Sequence, residues 1–462
     1  MELSGKHVLV LGLGESGLAC ALWCARQGAS VRVADSRQAP PFLETLRTRL
    51  AGVDFFVSGF NETFDKALLK GVDLLVLSPG LSGGLMAVTH ARAAGIAVVG
   101  EIELFAWGLK SLGQLVPVLA ITGTNGKTTT TALTGHLIAA SGRSVGVAGN
   151  ISPAALMALM DAQDRGALPQ AWVLELSSFQ LETTGTLNAT AATVLNISDD
   201  HLDRYIDLDD YASAKRRIFQ GTGVQVLNRQ DVRVRRMAIP DRPLITFGVD
   251  APADTRDFGL LINRRESWLV QGTHFLMPVS ELPIAGLHNA ANAMAALALC
   301  AAIDLEVVSL LPALRAFKGL PHRVEKVAEI DGVTYYDDSK GTNVGATVAA
   351  LEGLGRPTVV ILGGDGKGQD FSPLKAAVAA HACGVVLIGR DAPKIRQSLA
   401  GCGIAIDEAA DMAAAVKCAA ERANRGGVVL LSPACASFDM FRNYEHRAEV
   451  FVVAVKALAG QP

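Results

Sequence analysis

The chain has 462 residues, of which 50% are hydrophobic and 19% charged, so it is long enough for several domains and has a globular composition. Its net charge of −3 and aromatic content of 5% argue against a nucleic-acid partner, which needs a basic surface or stacking platforms. The apolar stretch from about 290 to 303 is short and interrupted by Asn292, so we expect no membrane insertion.

The cysteines and the start of the chain indicate a compartment. The seven cysteines are odd in number and form no C-x-x-C pair, which fits free thiols in a reducing environment. A strand pattern begins at residue 6, and no signal peptide precedes it. We therefore expect a cytoplasmic location.

The first segment alternates strand and helix patterns, with strands predicted near 6–11, 31–34, 54–57, 73–77 and 96–99. Gly12, Gly14 and Gly17 form G-x-G-x-x-G after the first strand, and Asp35 ends the second. Read alone, this fingerprint favours NAD. It requires only a diphosphate at a helix start and a ribose near Asp35, however, so a UDP-linked compound also satisfies it. Glu15 is unexpected beside a diphosphate unless its side chain points away.

A phosphate-binding loop is predicted in the second segment. After a predicted connector at 104–114, an apolar strand at 116–121 leads into Gly-Thr-Asn-Gly-Lys-Thr at 123–128. Backbone N–H groups at such a turn and helix start cradle phosphate oxygens. Lys127 adds a positive charge for the terminal phosphates, and Thr128 offers a hydroxyl for Mg²⁺. The glycine spacing is shorter than in the common phosphate loop, but the combination predicts an ATP site.

Two further strand ends of this segment carry polar residues. Glu175 ends a strand at 171–175, and a carboxylate there is a natural Mg²⁺ ligand. His201 lies in an acid-rich loop after a strand at 190–196, which indicates a ligand or orienting role. The spacing of the three basic residues at 215–217 indicates a solvated helix face. The rest of the segment is predicted as a strand near 224–227, a small antiparallel insert within 240–285, and helices around 289–302 and 306–317.

The third segment follows a predicted hinge at 319–321, with strands near 333–336, 358–362, 384–388 and 428–431. Its strand-end loops rich in Gly, Ser, Asp and Lys are 337–343, 363–367 and 432–439. Ordinary turns use the same residue types. Three such loops on one sheet, with Arg323 near the hinge, favour a ligand-binding face.

The alternation of strands and helices predicts an α/β protein with mostly parallel sheets. We expect three domains. They are a Rossmann-like N-terminal domain at 1–106, a P-loop-type central domain with a mostly parallel sheet at 107–319, and a Rossmann-like C-terminal domain at 320–462.

The ordered motifs resemble those of the Mur ligases, the ATP-dependent ligases of bacterial cell-wall precursor synthesis. The motifs span the whole chain and include G-L-G-x-S-G at 12–17, G-T-N-G-K-T at 123–128, E-L-S-S-F-Q-L at 175–181, D-H-L-D-R-Y at 200–205, L-P-H-R-V-E at 320–325, D-S-K-G-T-N at 338–343 and S-P-A-C-A-S-F-D at 432–439. Each piece is weak alone, whereas the ordered set is specific.

The resemblance implies an enzyme that joins D-glutamate to UDP-N-acetylmuramoyl-L-alanine through an acyl phosphate, releasing ADP and phosphate. It implies that the first domain binds the UDP substrate, the second holds ATP and the third closes over the site, so the NAD interpretation falls away. It also implies two Mg²⁺ ions and a CO₂-derived carbamate on Lys215, which replaces the solvated-face interpretation of that residue. The expected partners are these small molecules, and we expect a monomer.

The resemblance assigns further roles residue by residue. The implied contacts of the UDP substrate are Ser16, Asp35, Ser36, Arg37, Ser78 and Asn150. The implied ATP contacts are Gly123, Thr124, Asn125, Gly126, Lys127, Thr128, Thr129, Asn289, Asn292, Arg323 and Asp338. The implied glutamate contacts are Thr342, Lys367, Ser437, Phe438 and Tyr444. The implied catalytic residues are Lys127, Glu175, His201, Lys215, Arg323 and Lys340. The implied metal ligands are Thr128 and Glu175 for one ion, and His201 and carbamylated Lys215 for the other.

Three alternatives stay open at this point. A sibling ligase, of the Mur or folylpolyglutamate type, adds a different amino acid. An NAD-dependent oxidoreductase that also binds ATP uses the first glycine loop for its own cofactor. A nucleotide-binding switch protein binds ATP without ligation.

Overall fold

The computed structural model describes residues 2–113, 115–201 and 204–460, which fold into three α/β units with one β-sheet each. The predicted α/β class and three-unit organisation are confirmed. Leu202 and Asp203 of the 200–205 motif lie outside the described residues. None of the helices in the described ranges combines the length and apolar character needed to cross a lipid bilayer.

The first unit is a parallel sheet covered by helices. Its strands are β1 (His7–Leu11), β2 (Ser30–Asp35), β3 (Asp54–Val57), β4 (Leu74–Leu77) and β5 (Ala97–Val99). Its helices are α1 (Glu15–Arg26), α2 (Leu43–Arg49), α3 (Met86–Ala93) and α4 (Glu101–Ser111). The strands pair in the order β3-β2-β1-β4-β5, all in parallel. Because the strand order reverses at β1, the glycine loop after β1 lies where open α/β sheets bind ligands.

The connector predicted at 104–114 is wrong, because α4 continues through it to Ser111. Gly108 lies inside this helix, and a Cβ there would approach Trp23 to 2.7 Å. The glycine therefore permits close packing instead of forming a turn. One hydrophobic cluster includes Val10 of β1, Phe105 of α4 and Trp172 of the central unit. The helix thus joins the first two units, and the boundary predicted after residue 106 falls inside it.

The central unit is built on a nine-stranded sheet. Its strands are β6 (Val118–Thr122), β7 (Val145–Gly149), β8 (Ala171–Glu175), β9 (Ala191–Val194), β10 (Val224–Asn228), β11 (Leu244–Phe247), β12 (Phe258–Asn263), β13 (Glu266–Gln271) and β14 (His274–Pro278). Its helices are α5 (Lys127–Ala140), α6 (Ala155–Asp164), α7 (Ser178–Glu182), α8 (Leu208–Arg216), α9 (Val232–Arg235), α10 (Leu287–Ala301) and α11 (Val307–Ala316).

The strand order of the central sheet is β14-β13-β12-β11-β10-β9-β6-β8-β7. Strands β6 to β12 pair in parallel, whereas β13 pairs antiparallel with both β12 and β14. The antiparallel insert predicted within 240–285 is therefore confirmed. The phosphate loop follows β6, which lies between β8 and β9, so polar residues after all three strands meet at one sheet edge.

The third unit has a six-stranded sheet. Its strands are β15 (Glu325–Ile330), β16 (Val333–Asp337), β17 (Thr358–Gly363), β18 (Ala382–Ile388), β19 (Ile406–Glu408) and β20 (Val428–Leu431). Its helices are α12 (Val344–Leu354), α13 (Leu374–His381), α14 (Ala392–Ser398), α15 (Met412–Arg422) and α16 (Tyr444–Leu458). The order is β15-β16-β20-β17-β18-β19, with β15 antiparallel and the others parallel.

The chain enters the third unit through a turn in an uncommon conformation. His322 has a φ of 62° and Val324 a φ of 50°, a region that β-branched residues rarely adopt. Arg323 lies between them. As far as the structure describes the chain, the hydrophobic clusters of the third unit use residues 324–455 and none from the central unit.

Candidate active site

The phosphate loop lies between the fully buried β6 and α5, which begins at Lys127. Gly126 precedes the helix with a φ of 81°, and a Cβ there would lie 2.4 Å from Asn292 Oδ1. Gly123 also has a positive φ, and a Cβ there would lie 3.0 Å from Leu195 Cβ. Glycine at both positions makes the turn tight, and the first N–H groups of α5 have no intrahelical acceptors. This arrangement suits phosphate oxygens.

Asn196, to which the sequence analysis assigns no role, hydrogen-bonds to the phosphate loop at three points. Its side-chain Oδ1 accepts a 2.8 Å hydrogen bond from Asn125 N, and its backbone O accepts one of 2.9 Å from Thr124 N. Its Nδ2 donates to Asn125 O at 3.1 Å. The feature that could have identified Asn196 is its position directly after β9, the strand that pairs with β6. That pairing is a tertiary feature.

Lys127 lies folded into the loop itself. Its Nζ donates 2.8 Å hydrogen bonds to the carbonyl oxygens of Gly123 and Thr124. Burial lowers the pKa of its ammonium, while the charges of Glu175 and Asp200 act in the opposite direction. Among the residues that the structure describes, the hydrogen-bond partners of Nζ are these two neutral carbonyl groups, so its charge is available to an incoming anion.

Glu175 ends β8 with only 2% of its surface exposed. Its Oε1 accepts a 2.9 Å hydrogen bond from Asn150 Nδ2, whereas Oε2 is buried without a hydrogen-bond partner among the residues that the structure describes. A buried carboxylate oxygen without a donor is costly unless a cation or donor binds there. The side chain therefore fits a cation ligand.

Lys215 is buried, with 1% of its surface exposed, so the solvated-face interpretation from spacing is wrong for this residue. Its Nζ lies 4.5 Å from the ring centroid of Tyr211, one helical turn earlier, and 3.4 Å from Thr122 Oγ1. Burial, and then the nearby charge of Lys127, lower the pKa of this amine well below its ordinary value. Of its two basic neighbours, Arg216 is exposed and Arg217 is half-buried.

His201 lies beside residues of the third unit. A small cavity is lined by His201, Asp200, Thr342 and Lys367, so the structure brings one predicted metal ligand close to two predicted glutamate contacts. The His201 ring packs edge-on against Phe179 at 4.7 Å between centroids. Burial lowers the pKa of His201, and the charge of Asp200 acts in the opposite direction.

The third unit reaches the phosphate loop through two side chains. Arg323 Nη2 donates a 2.6 Å hydrogen bond to Thr128 Oγ1. Asn343 Nδ2 donates to Asn125 Oδ1 at 3.0 Å, while Asn343 Oδ1 caps α12 through Ala346 N. Arg323 was predicted, whereas Asn343 was not. The sequence indicates that Asn343 caps a helix. Its contact with Asn125 depends on how the third unit packs against the central unit.

A cavity of about 440 Å³ separates the central unit from the third. The predicted ATP contacts that line it are Asn125, Gly126, Thr129, Asn289, Asn292, Arg323 and Asp338, and Lys340 lines it as well. Burial raises the pKa of the Asp338 carboxyl to about 7, although its Oδ2 accepts a 2.6 Å hydrogen bond from Ser432 Oγ. Lys340 Nζ donates to Tyr444 Oη at 3.1 Å.

The predicted UDP contacts of the first unit lie around its glycine loop. Asp35 accepts hydrogen bonds from Leu13 N at 2.7 Å and from the Arg37 guanidinium at 2.8 Å. Burial alone raises the pKa of Asp35, but these hydrogen bonds outweigh it and lower the pKa. Ser78 Oγ donates to Gly12 O at 3.1 Å, and Ser36 is exposed.

The remaining predicted UDP contacts lie beside the central unit. Ser16 Oγ donates to Glu101 Oε2 at 2.8 Å, and Asn150 contacts Glu175. These two residues are therefore engaged with buried carboxylates of the protein.

Two predicted glutamate-side loops are joined at their bases. Asp365 and Ala436 exchange backbone hydrogen bonds of 2.8 and 2.9 Å, which links the 363–367 loop to the 432–439 loop. Ser437 is buried, whereas 72% of the Phe438 surface is exposed. The structure thus gathers these loops at one edge of the third sheet.

Three stretches of the chain match known families. Residues 6–100 match "Mur ligase MurD-like, N-terminal domain", residues 121–300 match "Mur ligase middle domain", and residues 322–435 match "Mur ligase, glutamate ligase domain". With the fold and the phosphate loop, these matches define an ATP-dependent amide-bond ligase. The chain belongs to the Mur ligase family.

Curated relatives match over nearly the full length. The UDP-N-acetylmuramoylalanine–D-glutamate ligase of Aromatoleum aromaticum is 58% identical, covering 99% of this chain and 98% of its own. The ligase of the same name from Thiobacillus denitrificans is 56% identical, covering 100% and 98%. That from Dechloromonas aromatica is 54% identical, covering 99% and 100%. The family resemblance read from the sequence is confirmed.

Solved structures share the fold at lower identity. The UDP-N-acetylmuramate-alanine ligase of Thermotoga maritima has a TM-score of 0.59 and 21% identity, covering 98% of this chain and 99% of its own. A pseudomurein peptide ligase type C from Methanothermus fervidus has a TM-score of 0.57 and 17% identity, covering 97% and 99%. These likenesses concern the fold.

Proposed function

We propose that the chain joins D-glutamate to UDP-N-acetylmuramoyl-L-alanine, converting ATP to ADP and phosphate. The observation that carries the proposal is the meeting of three features in one cleft. These are a glycine phosphate loop with a half-buried lysine, a buried carboxylate with one unpartnered oxygen, and an arginine of the third unit on Thr128. Full-length relatives of more than 50% identity carry that activity in their names, which supports the same choice of substrates.

The reaction solves a leaving-group problem. An alanyl carboxylate is a poor acceptor for an amine because its leaving group is oxide. In the proposed first step a carboxylate oxygen attacks the γ-phosphorus of ATP, the bond from phosphorus to ADP breaks, and an acyl phosphate forms. The neutral glutamate amine then attacks the acyl carbon and loses one proton, so that the new amide nitrogen keeps one hydrogen. The tetrahedral intermediate collapses as the carbon–oxygen bond to inorganic phosphate breaks.

Positive charge in the cleft fits the first step, because an anionic nucleophile approaches an anionic phosphate. Lys127 is placed for the terminal phosphates, and Arg323 approaches the same loop from the third unit. We assign Lys340 to the incoming amino acid side of the cleft, beside Tyr444. Closure of the third unit over the loop excludes water, which would otherwise hydrolyse the acyl phosphate.

We propose that Thr128 and Glu175 hold one Mg²⁺ and that His201 and Lys215 hold a second. The fit rests on the unpartnered Oε2 of Glu175. The Thr128 hydroxyl accepts a hydrogen bond from Arg323 in this structure and would exchange that donor for the ion. Bound Mg²⁺ supplies charge neutralisation for the phosphate oxygens.

Lys215 becomes an oxygen ligand only when its amine carries a carbamate. Burial and Lys127 lower its pKa, which favours the neutral amine that adds to CO₂. His201 is the less suitable donor, since Mg²⁺ prefers oxygen.

The other substrates have candidate sites in the flanking units. We place the UDP moiety at Ser16, Asp35, Ser36, Arg37 and Ser78, with Asn150 toward the alanyl end, and the glutamate near Thr342, Lys367, Ser437, Phe438 and Tyr444. We propose the division at 1–106, 107–319 and 320–462 for the domains, with the first boundary lying inside α4, the helix that joins the first two units. We further propose a monomer that works in the cytoplasm, where ATP and UDP-linked sugars are available.

Phosphate release measured with a panel of amino acids tests the proposal. Release is expected only when ATP, Mg²⁺, UDP-N-acetylmuramoyl-L-alanine and D-glutamate are all present. Equal or greater release with L-glutamate or a diamino acid indicates a sibling ligase instead. Release that needs no amino acid, or binding of NADH without binding of the UDP substrate, contradicts ligation.

A further inference from the structure

Glu15 stands in the first glycine loop, where an acid beside a diphosphate was unexpected, and its carboxylate points toward the central unit. Its Oε1 accepts hydrogen bonds from Ser152 Oγ at 2.7 Å and from Ala154 N at 3.0 Å. Ala154 is the N-cap residue of α6, and its own side chain offers no cap. The first unit thus caps a helix of the central unit with a carboxylate, a favourable partner for a helix start.

A second carboxylate reinforces this contact. Glu101 accepts Ser16 Oγ through Oε2 at 2.8 Å and Leu156 N through Oε1 at 3.1 Å. Two adjacent residues of the glycine loop, Glu15 and Ser16, are therefore tied to the first turn of α6. These hydrogen bonds join the glycine loop to the start of this helix.

The segment between β7 and α6 connects that contact to the candidate metal ligand. Gly149 N donates to Pro153 O at 3.1 Å, which closes the segment on itself. Asn150 N donates to Glu175 O at 2.7 Å, and Asn150 Nδ2 donates to Glu175 Oε1 at 2.9 Å. A displacement of Ser152 or Ala154 is therefore passed to Asn150, and from there to the orientation of the Glu175 carboxylate.

We propose that Glu15 is a positioning residue that sets the metal-binding carboxylate of Glu175 relative to the UDP-substrate loop. It acts through the 149–154 segment and Asn150. This inference rests on the proposed function, because it assigns the metal and the UDP substrate to those two places.

The test compares Glu15→Ala and Glu15→Gln with a control on the same unit. Glu62→Ala is the control, since Glu62 is exposed and makes no hydrogen bond or ion pair among the described residues. We expect Glu15→Ala to raise the half-saturating Mg²⁺ concentration and to lower kcat, each about tenfold, because charge-assisted hydrogen bonds are lost. The KM for ATP and the Kd for the UDP substrate should change less than about threefold, since Asp35 and Glu101 still hold the glycine loop.

Glu15→Gln distinguishes positioning from general damage. Its amide oxygen can still accept from Ser152 and Ala154, so it should restore the Mg²⁺ dependence to within about threefold of wild type. Ser152→Ala should have a clear effect in the wild-type background and almost none in Glu15→Ala. A Glu15→Ala variant that matches Glu62→Ala, or a Gln variant as impaired as Ala, overturns the inference.

A measurement without turnover separates this inference from the proposed function. The Mg²⁺-dependent rise in melting temperature, recorded with ADP, should require more Mg²⁺ in Glu15→Ala than in wild type. If wild type makes no product from D-glutamate, the proposed substrates are wrong, but this shift still tests the link from Glu15 to the metal site. If wild type is active and the shift is unchanged, only the inference fails.

Discussion

Replacing Lys127 by alanine removes a half-buried ammonium from the phosphate loop. In the structure this ammonium donates two 2.8 Å hydrogen bonds to loop carbonyls, and none to a carboxylate of the residues that the structure describes. Loss of one preorganised group that stabilises transition-state charge typically costs about 10²–10³ in kcat. Because Lys127 also organises the loop, we expect a fall of at least about 10³, equivalent to about 4 kcal/mol.

Folding and UDP-substrate binding should survive this substitution. The lost hydrogen bonds are offset in part by removal of a buried charge, whose burial already lowers the pKa of Lys127. The glycine loop of the first unit is held by its own hydrogen bonds around Asp35, and Lys127 takes part in none of them. The UDP substrate should therefore bind with an unchanged Kd.

The assay is phosphate release with all substrates, paired with calorimetric titration of the UDP substrate and a thermal melt. Lys318→Ala is the matched control, because Lys318 is exposed near the hinge. Turnover of Lys127→Ala within tenfold of this control refutes the assigned role. Loss of UDP-substrate binding in a folded variant refutes the separation of the two sites.

Three further substitutions test the cleft. Lys215→Ala should lose most activity and regain part of it with added small carboxylates; the absence of rescue at every concentration argues against a carbamate. Gly126→Ala should weaken ATP binding, measured by titration, because φ is 81° and the new Cβ would lie 2.4 Å from Asn292 Oδ1; unchanged affinity contradicts the cradle. Burial raises the pKa of Asp338 to about 7 from 3.8, so the folded state binds more protons and wild-type stability should fall as pH rises from about 4 to 7. In Asp338→Asn the melting temperature should no longer fall with pH over this range. A pH dependence identical to that of wild type rules out a raised pKa of Asp338.

Local sequence patterns predicted the sheets well, because buried parallel strands such as β6 and β17 are continuous apolar runs. Strand β15 was missed, since it is largely exposed and pairs antiparallel at a sheet edge. Helix α4 was mistaken for a connector because Gly108 resembles a turn signal. Its real role, contact with Trp23, depends on packing between units.

The residues of the candidate site also fall into those that local sequence patterns predict and those that depend on tertiary packing. Lys127 and Glu175 follow apolar strands, so their place at a sheet edge was readable from the chain alone. The burial of Lys215 was not, because its charge indicated solvent and only the fold encloses it. Asn196 and Asn343 contact the phosphate loop across 71 and 218 residues of sequence, and no local pattern encodes such contacts.

The first two units share an apolar core, whereas the third unit has a separate core. The molecule therefore consists of two structural parts of unequal size. On heating, the first two units should unfold together in a single cooperative transition. The third unit should unfold in a separate transition, because its hydrophobic core is its own. Protease cleavage near the turn at 322–324 would then release a stable carboxyl-terminal fragment. The glycine loop of the first unit and the phosphate loop of the second are therefore carried on one shared core, whereas the third unit joins them through the turn at 322–324.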